Sequence, residues 1–203
     1  MPPPPEPDLL AALRAGTRRQ HHEVERVLGL PGRIRSRADL AATLAGMLAG
    51  WQPVEDALAA VDWRPLGLAD RLGAAADLIR ADLRELAASG DAPPAGGDPG
   101  TGAAAPRFGT LARAVGGRYV LLGSALGGRI IAPVVDRRLG PGATRFFRRA
   151  GLDPEGDWAA FRAAVADHRW HPEQRAEAVV AAVETFDAIG RAAARTLAAR
   201  RPD

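Results

Sequence analysis

The chain has no cysteine. That excludes disulfides, thiolate metal sites and cysteine nucleophiles, and it leaves histidine as the natural soft ligand for a metal. Only four histidines are present. Lysine is missing too, so all 27 basic residues are arginines, which reads as a composition bias of the genome rather than a binding signal. The arginines are interleaved with 24 acidic residues instead of forming blocks, so the net charge of +3 marks no phosphate-tracking stripe and no nucleic-acid partner is expected. Aromatic residues are only 5% of the chain, and strand candidates are almost absent. The opening MPPPPEP lacks the basic start and apolar run of a secretory leader, which points to the cytoplasm. The most apolar stretch, Tyr119 to Val135, contains Arg129 and Pro133 and is short for a membrane span, so a buried helix and no membrane are expected.

What is there is alanine, leucine and arginine in a three-to-four residue rhythm, over 203 residues that are 47% hydrophobic. This predicts one all-α domain over residues 7–200, with a disordered proline-rich tail at 1–6. Ser36 caps a second helix that Pro53 should kink or restart and that ends near Val61. A third helix fits Leu68 to Ser89. Residues 90–106, GDAPPAGGDPGTGAAAP, read as a flexible loop inside the domain. Phe108 to about Leu139 reads as a helical region interrupted by glycines, followed by a short arginine-rich helix at Thr144 to Ala150. Asp157 is the expected cap of the next helix, and Pro172 suits the first turn of the last, which should run to about Ala199.

The first helix, capped by Asp8 and running to about Leu28, carries the more telling pattern. At about 100° per residue, Leu10, Leu13, Thr17, His21, Val24 and Leu28 share one side, so His21 is expected to face inward and His22 to sit at the edge. A lone inward histidine is more often a core residue with a hydrogen-bond partner than a ligand. Its neighbours shift that balance, because Arg14, Arg18 and Glu25 lie within about 60° of it around the axis. A carboxylate can orient one imidazole nitrogen while the other binds a metal, and guanidinium groups can pair acidic substituents of a ligand. Taken singly, each arginine reads as part of a solvated face.

The second pattern is Tyr119-Val120-Leu121-Leu122-Gly123-Ser124-Ala125-Leu126-Gly127-Gly128-Arg129-Ile130-Ile131. Each interior glycine costs about 1 kcal/mol of helix propensity relative to alanine, so three of them need a reason. One reason is close helix–helix approach. The other is a kinked helix whose bare backbone lies against a flat ligand. Spacing alone does not choose.

With these residues in view, the segment Thr17-Arg18-Arg19-Gln20-His21-His22-Glu23-Val24-Glu25 resembles the proximal helix of heme oxygenases. The glycine segment resembles their distal helix, most closely in the branch found beside bacterial phytochromes. Pro53-Val54-Glu55 and Thr185-Phe186-Asp187 also fit, and the resemblance runs in order from about residue 9 to 190, with 90–106 as an insertion. It implies a single-domain, heme oxygenase-like helical bundle with heme (iron protoporphyrin IX) sandwiched between the proximal and a kinked distal helix. It implies His21 as the iron ligand, Glu25 as its orienting carboxylate, and Gly123, Ser124 and Gly127 over the distal face. Arg14, Thr17, Arg18, Tyr119, Gly128 and Arg148 are then heme-contacting positions. The implied reaction cleaves heme to biliverdin, CO and ferrous iron, with O2 and electrons from a ferredoxin or a reductase.

Two positions depart from the family. Ser124 stands where many members have a catalytic aspartate that organises proton-delivering waters, and Leu122 stands where the phytochrome-linked branch has an acidic residue. A serine hydroxyl can still hold a water. A heme carrier or sensor of the same fold is therefore the alternative, and a heme-free helical interaction domain, with Trp51, Trp158 and Trp170 as core or interface aromatics, is a third.

Overall fold

The computed structural model describes residues 8–69, 74–91 and 106–199. The tail expected at 1–6 and nearly all of the loop expected at 90–106 lie outside them. The described residues form seven α-helices and one 3-10 turn and contain no strand: α1 (Leu9–Leu28), α2 (Arg37–Ala59), the turn Arg64–Leu66, α3 (Ala75–Ala88), α4 (Leu111–Leu139), α5 (Arg145–Arg148), α6 (Pro154–Asp167) and α7 (Pro172–Ala199).

Local chemistry sets most of these limits. The Asp8 side chain accepts from Ala11 N and opens α1, and Gly29 closes it in the left-handed conformation. Ser36 and Asp39 form a reciprocal capping box at the start of α2. Thr110 accepts from Arg113 N and opens α4.

Four features differ from the sequence reading. Helix α2 runs through Pro53 without a restart, because Trp51, Val54 and Leu58 on either side of the proline are buried in the core. At roughly 2 kcal/mol per buried side chain, that packing offsets the roughly 3 kcal/mol a proline costs a helix interior. Helix α3 begins at Ala75 rather than Leu68, since its cap comes from another helix: Glu55 of α2 accepts from Ala75 N and Ala76 N, each at 3.0 Å. Helix α6 is capped by Asp153, which accepts from Gly156 N, and Asp157 lies within its first turn. The glycines expected to interrupt the fourth helix do not, and α4 is one continuous helix of 29 residues.

Helix α7 is the axis of the packing, with α1, α2 and α4 against it. Small residues make this possible. Ala178, Ala181, Ala182, Thr185, Ala188, Ala192 and Ala193 form its buried stripe, and glycines of the partner helices meet it. A Cβ at Gly50 would stand 2.7 Å from Ile189 Cα, and one at Gly116 would overlap the carbonyl of Ala178. Helix α6 also packs against both α1 and α4. Helix α4 is long and apolar enough to cross a membrane. Here it packs on α7, α2, α5 and α6, with Arg118 buried on it and Arg129 paired to Glu155 of α6.

Candidate functional site

Helix α1 presents its histidine differently from the sequence expectation. Leu9, Leu13, Thr17 and Leu28 are buried and Val24 is half-buried, but the His21 side chain is 51% exposed. The buried stripe is centred near Leu13, Thr17 and Val24, and His21 lies about 40° beyond Thr17 around the axis, at the stripe's solvent edge. Arg14, Glu25 and Arg18 continue outward from that edge, and all three are exposed. Beneath His21 is Phe186 of α7, edge to face at 5.9 Å between ring centroids. Neither imidazole nitrogen makes a hydrogen bond to a described residue. Glu25 Oε2 stands 3.6 Å from His21 Nδ1 and 3.5 Å from His22 Nδ1. The ligand atoms of His21, His22 and Glu25 lie within 4.8 Å of one another, a donor set suited to a borderline metal. Arg14 and Arg18 make no ion pair with a described residue. Thr17 is 3% exposed and its hydroxyl donates to Leu13 O at 2.8 Å, so it belongs to the core rather than to an accessible site.

The glycines of α4 divide into two groups. A Cβ at Gly128 would overlap the carbonyl of Phe147 in α5, so Gly128 is bare for helix packing and not for a ligand. At Gly123 and Gly127 a Cβ would meet nothing within 4 Å. These two share a face with Leu126, 40% exposed, and Ile130, 73% exposed, at steps of three and four residues. The result is a strip of α4 that is apolar, partly free of side chains and without a partner among the described residues. Tyr119, one turn earlier, is half-buried and tilted against Trp158 of α6 at 5.8 Å. Because α6 and α7 each pack against both α1 and α4, they connect the helix of His21 to the helix of this strip.

Behind the strip lies a cleft of about 370 Å³, its open mouth included, bounded by Trp51, Glu55, Leu121, Leu122 and Arg149 among others. A relay of caps builds it. Glu55 of α2 fixes the start of α3, as above. Asp82 of α3, its side chain fully buried, accepts from Arg145 N and Phe146 N and so fixes the start of α5. Burial pushes both carboxyls above the usual carboxylate range, against the pull of those same backbone N–H groups. Helix α5 then ends at Arg149, in the left-handed conformation at φ 51°, which turns the Arg149 side chain inward. Arg149 is 5% exposed, with its guanidinium over Phe146 at 4.2 Å and Trp51 at 5.2 Å. Its Nη2 donates to Ser124 Oγ at 2.9 Å, and Ser124 in turn donates to Leu121 O at 2.7 Å. Burial lowers the Arg149 pKa to about 10, so the group stays charged at neutral pH.

The neighbouring Arg148, expected beside a ligand, is exposed and paired to Asp136 at the end of α4. The structure therefore brings together Gly123, Ser124 and Gly127 on α4, and His21, Arg14, Arg18 and Glu25 on α1. It assigns Thr17 and Gly128 to packing and Arg148 to an ion pair. Arg149 escaped the sequence reading. The one sequence signal for it is its place in the arginine-rich turn Arg148-Arg149-Ala150-Gly151, which does not tell an inward arginine from an outward one.

No protein-family model matches the chain, and no curated protein matches it.

Proposed function

We propose that the protein is a heme-binding protein of the heme oxygenase type. One observation carries the reading: an exposed imidazole with no hydrogen-bond partner among the described residues, and an exposed apolar strip of α4 bare at Gly123 and Gly127, stand on two helices that α6 and α7 connect. Two histidines and a carboxylate alone would suit a simple metal ion. The apolar strip favours a large flat ligand, because a bare ion has no use for exposed leucine and isoleucine side chains.

In this reading His21 would hold the heme iron. Glu25, near its Nδ1, orients the ring and leaves the other nitrogen for iron. The guanidinium groups of Arg14 and Arg18, exposed on α1, would meet the ligand's acidic substituents. Gly123 and Gly127 let the backbone of α4 approach the ring face. Bound heme would serve as cofactor and substrate together, opened to biliverdin with release of CO and ferrous iron, given O2 and electrons from a ferredoxin or a reductase. The Ser124 hydroxyl, with its proton given to Leu121 O, is left to accept from Arg149 or from a water.

The absence of a carboxylate at Ser124 and Leu122 favours a second reading, a heme carrier or sensor of the same fold. Aerobic incubation of the heme complex with reductant separates them. Biliverdin formed by the wild type supports the oxygenase. A stable heme complex that degrades only in Ser124→Asp assigns the carrier. A protein that does not take up heme refutes both.

A further inference from the structure

The cleft behind Ser124 carries an inference that does not require heme. Arg149 is a buried cation that makes no ion pair with a described residue. Glu55 acts on it through space, but both Glu55 oxygens are committed to Ala75 N and Ala76 N. A buried charge without a hydrogen-bonded partner is costly, and proteins rarely leave one so. One Arg149 donor goes to Ser124, while Nη1 is buried with no hydrogen-bond partner among the described residues. The Nε1 of Trp51, on the ring that Arg149 covers, is likewise buried without a partner. Both residues line the same cleft, whose other walls include Leu121, Leu122 and Leu152. Two unspent donors, one of them on a cation, thus belong to side chains that wall a largely apolar cleft.

We propose that this cleft binds a short-chain aliphatic carboxylate, its oxygens accepting from Arg149 Nη1 and Trp51 Nε1 and its alkyl part against Leu121, Leu122 and Leu152. Guanidinium and carboxylate are matched in charge and hydrogen-bond geometry. The carboxylate supplies a hydrogen-bonded counter-charge, which no described residue gives Arg149. Asp157, the other acidic residue of the lining, is exposed in the first turn of α6 and leaves the interior to the ligand.

The test uses the heme-free full chain, titrated calorimetrically with sodium propionate and sodium formate at constant ionic strength, with thermal unfolding followed in parallel. Propionate should bind at one saturable site and raise Tm in step with its occupancy. It should bind about fifteenfold tighter than formate, since each of the two added carbons contributes about fourfold when buried. Trp51→Phe keeps the ring and loses the donor, and should weaken propionate about tenfold. Arg149→Met should abolish binding. Ser124→Asp places a carboxylate of the chain's own beside Arg149 and should also abolish the response while the protein stays folded. If Arg149→Met does not fold, the other two variants decide. Absence of saturable binding to the wild type, or propionate affinity equal in wild type, Trp51→Phe and Ser124→Asp, overturns the proposal.

Discussion

Ser124 Oγ accepts a hydrogen bond from Arg149 Nη2 at 2.9 Å, and that bond joins the middle of α4 to the turn that closes α5. It places a buried cation beside Ser124, the position at which the resemblance leads one to look for a carboxylate. A carboxylate introduced there would meet an opposite charge already in position. Ser124→Asp is therefore expected to stabilise the fold by about 1–2 kcal/mol at pH 7 relative to Ser124→Asn, as a charged hydrogen bond replaces a neutral one. Urea unfolding of the two variants checks it.

The two groups of α4 glycines predict opposite effects of the same kind of substitution. Gly127→Ala enters open space and gains helix propensity, so it should raise stability by about 0.5–1 kcal/mol. Gly128→Ala drives a methyl group into the Phe147 carbonyl and should cost about 1–3 kcal/mol through forced separation of α4 and α5. The larger Gly127→Leu should leave the fold stable and abolish heme uptake, because its side chain occupies the space assigned to the ring. Thermal unfolding and heme titration of the three variants separate packing from ligand access.

His21 stands at an exposed edge, so removing it should hardly touch the fold. His21→Ala is expected to change stability by less than about 0.5 kcal/mol, in line with a surface substitution. In a complex with hemin, the same change should alter the spectrum of the bound iron. A heme complex whose spectrum is unaltered by His21→Ala would transfer the ligand role to His22, His168 or His171.

Glu55 predicts a pH dependence of stability. Its folded-state pKa is raised above the unfolded value by burial, so the folded protein holds the proton more tightly. The contribution of Glu55 is therefore greatest below the ordinary glutamate range and declines as pH rises through the raised pKa. Gln does not titrate, so the stability lost in Glu55→Gln should be larger at pH 4 than at pH 7. Paired urea titrations at the two values measure the sign. Asp82, raised for the same reason, should behave alike in Asp82→Asn.

Much of the helical order was legible because it is written locally. Asp8, Ser36 and Pro172 mark helix starts in the residues themselves, and the apolar rhythm of α1 and α7 follows from the helical repeat. The start of α3 was not legible, because the group that caps it, Glu55, lies 20 residues upstream in sequence and on another helix. The start of α5 depends in the same way on Asp82, 63 residues from Arg145. The site was half legible. His21 and the glycine segment stood out by composition and spacing, but whether a residue at the margin of an apolar stripe is covered depends on how wide the neighbouring helix is there. Helix α7 meets His21 only from below, through the Phe186 ring, and leaves the imidazole half exposed. Gly127 and Gly128 are adjacent and identical in sequence, and only the position of Phe147 tells a packing glycine from an open one.

Heme oxygenase function is decided by titrating the protein with hemin, then supplying O2 and a reductant and identifying the product. Stoichiometric uptake is expected, with an iron spectrum that depends on His21, followed by loss of the heme band and the appearance of biliverdin. Failure to take up heme, or uptake and bleaching without biliverdin, would contradict it.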